Sequence, residues 1–157
     1  AGIAKGSFYA FFDSKESLYL EVMLRRAPQV GARLAEALAR PVDEENLVGL
    51  MRAITDVLVD DPFYRRLLTH ADELAAVTRR VGSEQLVRVM PQIVSPVLDY
   101  LAAGQRAGVL VDDITPAALL GAMRSVGLLV MNRDRFGADY DEVLEATIRT
   151  LARGMLR

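Results

Sequence analysis

The chain reads as an all-α protein. Three observations predict that class. Apolar residues recur at helical spacing almost throughout, breakers stand where helices should end, and no stretch alternates apolar with polar as a half-buried strand does. At 157 residues it is about one domain's worth of sequence. A chain of that length buries enough surface to hold a core without disulfide or metal. Its 52% hydrophobic and 25% charged content is that of an ordinary globular protein and excludes disorder.

Ser14 stands as N-cap of a helix running from Lys15 into the thirties, with Leu18, Val22 and Leu24 at helical spacing. Pro28 is expected to kink or split it, because proline removes a backbone donor and clashes with the preceding turn. Asp43 to Asp60 forms the next helix, with Leu47, Leu50, Met51, Ile54, Val57 and Leu58 on one face. Asp61-Pro62 opens another, the Asp as cap and the Pro at the first helical position. Its stripe is Phe63, Leu67, His70 and Leu74.

Ser83 begins a long helical segment to about Gly104, which Pro91 and Pro96 are expected to kink or divide. Thr115-Pro116 starts a helix to roughly Arg135 that is apolar on almost every side, with Arg124 its only charge before Arg133. Asp139 and Glu142 approximate a capping box for the last helix. Tyr140, Leu144, Ile148, Leu151 and Met155 make its stripe, with Val143 beside it.

Composition removes several functions. Cysteine is absent and His70 is the single histidine, so thiolate chemistry, a multi-histidine metal site and a histidine relay are not expected. No nucleophile elbow, dinucleotide fingerprint, phosphate loop or zinc-protease motif occurs, so neither an enzyme nor a bound cofactor is expected. The longest uncharged runs are about ten residues, too short to span a membrane. No signal-type apolar segment opens the sequence, and the expected location is the cytoplasm. A net charge of −2 gives no global field for nucleic acid, so any DNA contact must be local.

That local contact is expected in residues 1–20, AGIAKGSFYAFFDSKESLYL. Gly2 suits a tight turn between helices. On the short helix that follows, Ile3, Phe8 and Phe12 face inward and Lys5, Ser7, Tyr9 and Ala10 face out. A cation, a hydroxyl, a phenol and a methyl together can touch phosphates and base edges in a major groove. Ser-Lys-Glu then starts the next helix, where backbone N–H groups and Lys15 can bind a phosphate.

The run Gly-Ser-Phe-Tyr-x-Phe-Phe-x-Ser-Lys-Glu-x-Leu resembles the recognition-helix pattern of the tetracycline-repressor (TetR) family of bacterial transcription regulators. The close match covers residues 1 to about 22; the rest matches in architecture alone. The resemblance implies the end of a helix-turn-helix DNA-binding domain over residues 1–22 and a helical ligand-binding and dimerisation domain over residues 23–157. It places Lys5, Gly6 and Ser7 near base edges and backbone, Tyr9 on a phosphate, and Lys15 as the anchor of the following helix. Ala4 stands where the family often has a capping Ser or Thr, and Ala10 where an aromatic residue is common. The family's motif has two helices ahead of this turn, so the sequence is expected to be a piece of a longer regulator.

Two further expectations follow. An apolar effector pocket, such as ligand sites usually are, would be walled by Phe63, Tyr64, Leu67, His70, Met90, Ile93, Val94, Val97, Tyr100 and Met123. His70 reads more simply as a core histidine with one hydrogen bond. The last two helices form either the core of one bundle or, as the family's habit implies, a homodimer interface through Leu120, Met123, Gly127, Val130, Leu144, Ile148 and Leu151. Gly121, Ala122, Ser125 and Gly127 would permit close backbone approach. The function expected is that of a ligand-responsive repressor released from a palindromic double-stranded operator by a small apolar effector. The alternative is a helical dimeric adaptor or small-molecule-binding protein that does not touch DNA.

Overall fold

The computed structural model describes residues 14–60, 62 and 82–157, without side chains at 15, 16, 20, 58 and 82–92. Over these residues the protein is all-helical, with five α-helices: α1 (Lys15–Leu38), α2 (Glu44–Asp60), α3 (Gly82–Arg106), α4 (Pro116–Met131) and α5 (Tyr140–Met155). Two 3₁₀ turns, Arg133–Arg135 and Gly137–Asp139, join the last two. No described helix is long and apolar enough to cross a membrane. The helix expected from Asp61-Pro62, with Phe63, Leu67, His70 and Leu74, lies outside the described residues beyond Pro62.

The caps fall where the sequence places them. The Ser14 hydroxyl accepts from the Ser17 amide at 3.1 Å, and the Asp43 carboxylate from the Asn46 amide at 2.7 Å. The Thr115 hydroxyl accepts from Ala118 at 3.2 Å, with Pro116 at the first helical position. The fourth cap is different. Asp139 precedes α5 but its side chain makes no capping hydrogen bond, because the chain arrives there from a 3₁₀ turn with φ −83° and ψ −1° and not in the extended form a cap needs. The expected capping box is therefore absent.

The prolines also behave differently from expectation. Helix α1 runs unbroken through Pro28, and α3 through Pro91 and Pro96. Pro28 is exposed while Ala27, Val30 and Leu34 are buried. An interior proline costs about 3 kcal/mol, and burying Val30 and Leu34 returns about 1.5–3 kcal/mol each. Tertiary burial holds α1 together across the break. The expected division at residue 22 thus falls inside one continuous helix.

Helix α2 is the centre of the arrangement and packs on α1, α4 and α5, while α3 packs on α1 and α4. Leu47, Leu50 and Met51 of α2 are wholly buried with Leu101, Leu110 and Met123. Ile54 and Val57 join them, and Leu58 has no described side chain. The polypeptide leaves α3 by a turn at Gly108, whose φ of +71° suits glycine. One residue class alone fits at Gly104. A Cβ there would stand 2.8 Å from Leu110 Cδ1 and 3.1 Å from Val42 Cγ2, and Leu110 is fully buried with nowhere to move. Gln105 holds the α3–α4 loop by donating from Nε2 to the carbonyls of Val111 and Ile114, both at 2.7 Å. The end of the chain closes on this loop through an isolated antiparallel bridge between Leu110 and Leu156.

A charged ladder joins α2 to α5 on the surface. Arg52 and Arg149 hold Glu145 at 2.5 and 2.6 Å, and Arg153 reaches Glu44 at 2.9 Å. The Arg52 hydrogen bond, with Arg149 beside it, keeps the Glu145 carboxyl below the usual glutamate range. A lowered folded-state pKa means the stabilisation is present above the unfolded value and is lost as pH falls through the folded one. Thermal melts followed by circular dichroism should therefore separate wild type from Glu145→Gln at neutral pH. That gap should close below about pH 4; a gap unchanged down to pH 3 would show that the ladder does not stabilise the fold.

Candidate functional site

The residues expected to read DNA, Ala4, Lys5, Gly6, Ser7, Tyr9 and Ala10, lie outside the described residues, as do Gly2, Ile3, Phe8 and Phe12. Lys15 is the first residue of α1, and its side chain is likewise outside the description. What is described is the start of the helix that follows the motif. Ser14 is 7% exposed and its Oγ also lies 3.0 Å from Ser17 Oγ, so the first turn is closed by its own side chains. From there α1 gains burial along its length. Leu18, Val22 and Leu24 are half-buried, and the fully sheltered positions begin at Ala27.

Of the expected pocket, Phe63, Tyr64, Leu67 and His70 lie outside the described residues, and Met90 stands in α3 with its side chain undescribed. The others do not converge on one cavity. Met123 is 0% exposed and Val97 2%, and both belong to the core. Ile93 and Val94 are half-buried against it. Tyr100 is a structural latch: its hydroxyl donates to the Pro41 carbonyl at 3.2 Å and accepts from Asn46 Nδ2 at 2.7 Å. Burial is the main cause that holds its phenol above the usual tyrosine range, against the opposing Asn46 hydrogen bond.

A concave surface does form, but between α1 and α3. It is an open groove of about 450 Å³ lined by Gly31, Leu34, Ala35 and Leu38 of α1 and its C-cap Ala39, with Ile93 and Pro96 of α3. Among the described residues, Ile93 is the one shared with the expected pocket. The reason for the groove is legible afterwards: Gly31, Ala35 and Ala39 follow at intervals of four, so one strip of α1 carries almost no side chain. Among the described residues, no charged or hydrogen-bonding side chain lines it.

The expected dimer residues are redistributed in the same way. Met123 and Ile148 are 0% and 2% exposed, and Leu120 and Gly127 are buried as well, all inside the chain's own core. Val130, Leu144 and Leu151 are half-buried. The outward strip of α4 is instead Ala117, Gly121, Arg124, Ser125 and Leu128, the last 54% exposed. A Cβ built on Gly121 meets nothing within 4 Å. On α5 the outward residues include Ala146, Thr150 and Gly154. Comparison with family models, curated proteins and solved structures returns no match for this chain.

Proposed function

We propose that this chain serves in a dimeric, ligand-responsive DNA-binding transcription regulator of the tetracycline-repressor type, acting as a repressor that a small apolar effector releases from a palindromic operator. The observation that carries the reading is the pattern Gly6-Ser7-Phe8-Tyr9, Phe11-Phe12, Ser14-Lys15-Glu16 and Leu18. The capped start of α1 at Ser14 supports it, because that pattern runs directly into a 24-residue helix whose far half packs Ala27, Val30 and Leu34 into the body of the protein. Such a helix transmits a shift in the body to the DNA-reading end.

The groove along α1 supports the effector. Its lining is aliphatic, so a ligand bound there is uncharged and apolar, and it touches the connecting helix itself. Release of DNA requires that the ligand bind one spacing of the two reading ends better than the other. The outward face of α4 supports the dimer, since an apolar helix with one exposed side needs a partner there.

Fluorescence anisotropy of DNA from the gene's own promoter, titrated with the product of the full gene, tests the reading. A Kd of roughly 10 nM or tighter, well below that for a scrambled duplex and rising steeply with salt, is expected. Equal, weak binding to both duplexes would count against it. In the same assay Tyr9→Phe and Lys15→Ala should each weaken operator binding about tenfold, the worth of a hydrogen bond to a charged group, while the oligomeric state stays as in wild type. Unaltered affinity in both variants would refute the assigned phosphate contacts.

A further inference from the structure

Helix α1 carries its weak point in its middle. Pro28 has no N–H, so the Leu24 carbonyl lacks its helical donor. Gly31, one turn on, is the poorest helix former after proline. Proline and glycine are among the few causes of sharp bends in long helices. Helical geometry leaves the amides of Gln29, Val30 and Gly31 to make the hydrogen bonds that span Pro28. The parts on either side are held differently. Beyond Pro28, Val30 and Leu34 enter the core, Arg33 pairs with Asp60 of α2 at 3.0 Å, and Asn46 holds the Ala37 carbonyl at 2.8 Å. The described groove residues of this stretch, Gly31 to Ala39, lie beyond it as well. Before it, no described side chain from Ser17 to Arg26 is buried. Pro28 itself is exposed, so alanine replaces it without disturbing the core.

We infer that Pro28 is a flexure, at which residues 15–27 turn against the anchored residues 29–38, and that this turning lets two reading ends fit half-sites at different separations. The inference rests on the regulator reading above and adds how strictly the spacing of an operator is read. A stiff helix anchored in the body would hold the two ends at one separation. Lys15 stands about 20 Å from Pro28 along the helix axis. A bend of about 10° at Pro28 therefore moves it by about 3.5 Å, close to the rise of one base pair. Bends at prolines often exceed about 20°, so the joint covers that displacement easily. Its place matters as much as its softness. It lies between the anchors and the reading end, so turning there leaves the core, the Arg33–Asp60 pair and the groove undisturbed.

Two measurements on Pro28→Ala test it. Native-state amide exchange of the 157-residue chain reads the flexure without DNA. Corrected for intrinsic rates, the amides of Gln29, Val30 and Gly31 should exchange about tenfold faster or more than those of residues 33–37 in wild type. In Pro28→Ala the difference should shrink to within about threefold, because the missing hydrogen bond is restored. Fluorescence anisotropy of the full gene product then reads its use, on the operator and on versions with one base pair added or removed at the centre. The loss of affinity on altered spacing should be about tenfold larger in Pro28→Ala than in wild type, with binding at native spacing within about threefold. Wild-type amides at 29–31 as slow as those at 33–37 would overturn the flexure. Equal spacing penalties in the two proteins would overturn its role. A wild-type gene product that binds no operator sinks the regulator reading and the spacing role with it, while the exchange pattern still decides whether the joint exists.

Discussion

Met123→Ala lowers the unfolding free energy by about 2–5 kcal/mol, the usual cost of emptying a methionine-sized site in a core that relaxes only in part. The side chain is 0% exposed within the hydrophobic core and stands on α4, which packs on α2, α3 and α5. Urea denaturation followed by circular dichroism measures it, with an unchanged slope showing that the same surface is still exposed on unfolding. A loss below about 1 kcal/mol would mean that the site is already loosely filled. In that case the residue would regain its place among effector-contacting positions.

Asn46→Ala is the second large effect, at about 2–3 kcal/mol. Asn46 is 6% exposed and its Nδ2 donates to the Ala37 carbonyl at 2.8 Å, the Pro41 carbonyl at 3.2 Å and the Tyr100 hydroxyl at 2.7 Å. It therefore ties the end of α1, the α1–α2 loop and α3 to one side chain. Alanine leaves the acceptors of half-buried Ala37 and Tyr100 with fewer donors. Tyr100→Phe removes only the hydroxyl that Asn46 and Pro41 share, and should cost about 1 kcal/mol in the same urea titration. Equal losses for the two variants would show that Asn46 is not the centre of the cluster.

Helix starts were the most legible part of this fold. A short polar side chain before an apolar period has one good use, the free amides of a first turn, and Ser14, Asp43 and Thr115 all take it. Prolines misled in proportion to what they could not report. Pro28 costs α1 a hydrogen bond wherever it sits, but whether the helix survives depends on Ala27, Val30 and Leu34, and on the helices packed over them.

The site was legible at the level of residue type and not of place. Periodicity marks Met123, Val97 and Ile148 as residues that leave water, and a core, a pocket and a dimer interface all satisfy that mark. The three-dimensional contacts assign them to the core. Conversely, the groove is made by what α1 lacks at Gly31, Ala35 and Ala39, and a search for large apolar walls passes over small residues. Gln105 and Asn46 escaped for a related reason. Each acts through backbone carbonyls that any sequence would offer, so no neighbouring residue type announces the contact.

The bridge at the end of α5 gives the protein a mechanical property. Val111 donates to the Met155 carbonyl and Arg157 to the Val109 carbonyl, both at 3.0 Å, and Arg157 also pairs with Asp112 at 3.1 Å. A pull on Arg157 is therefore received by the α3–α4 loop before it reaches α5. Through Gln105 the loop hands that load to α3. Residues 155–157 and the loop form a clasp that shares tension between two helices, so α5 is peeled away from this side only once the loop opens.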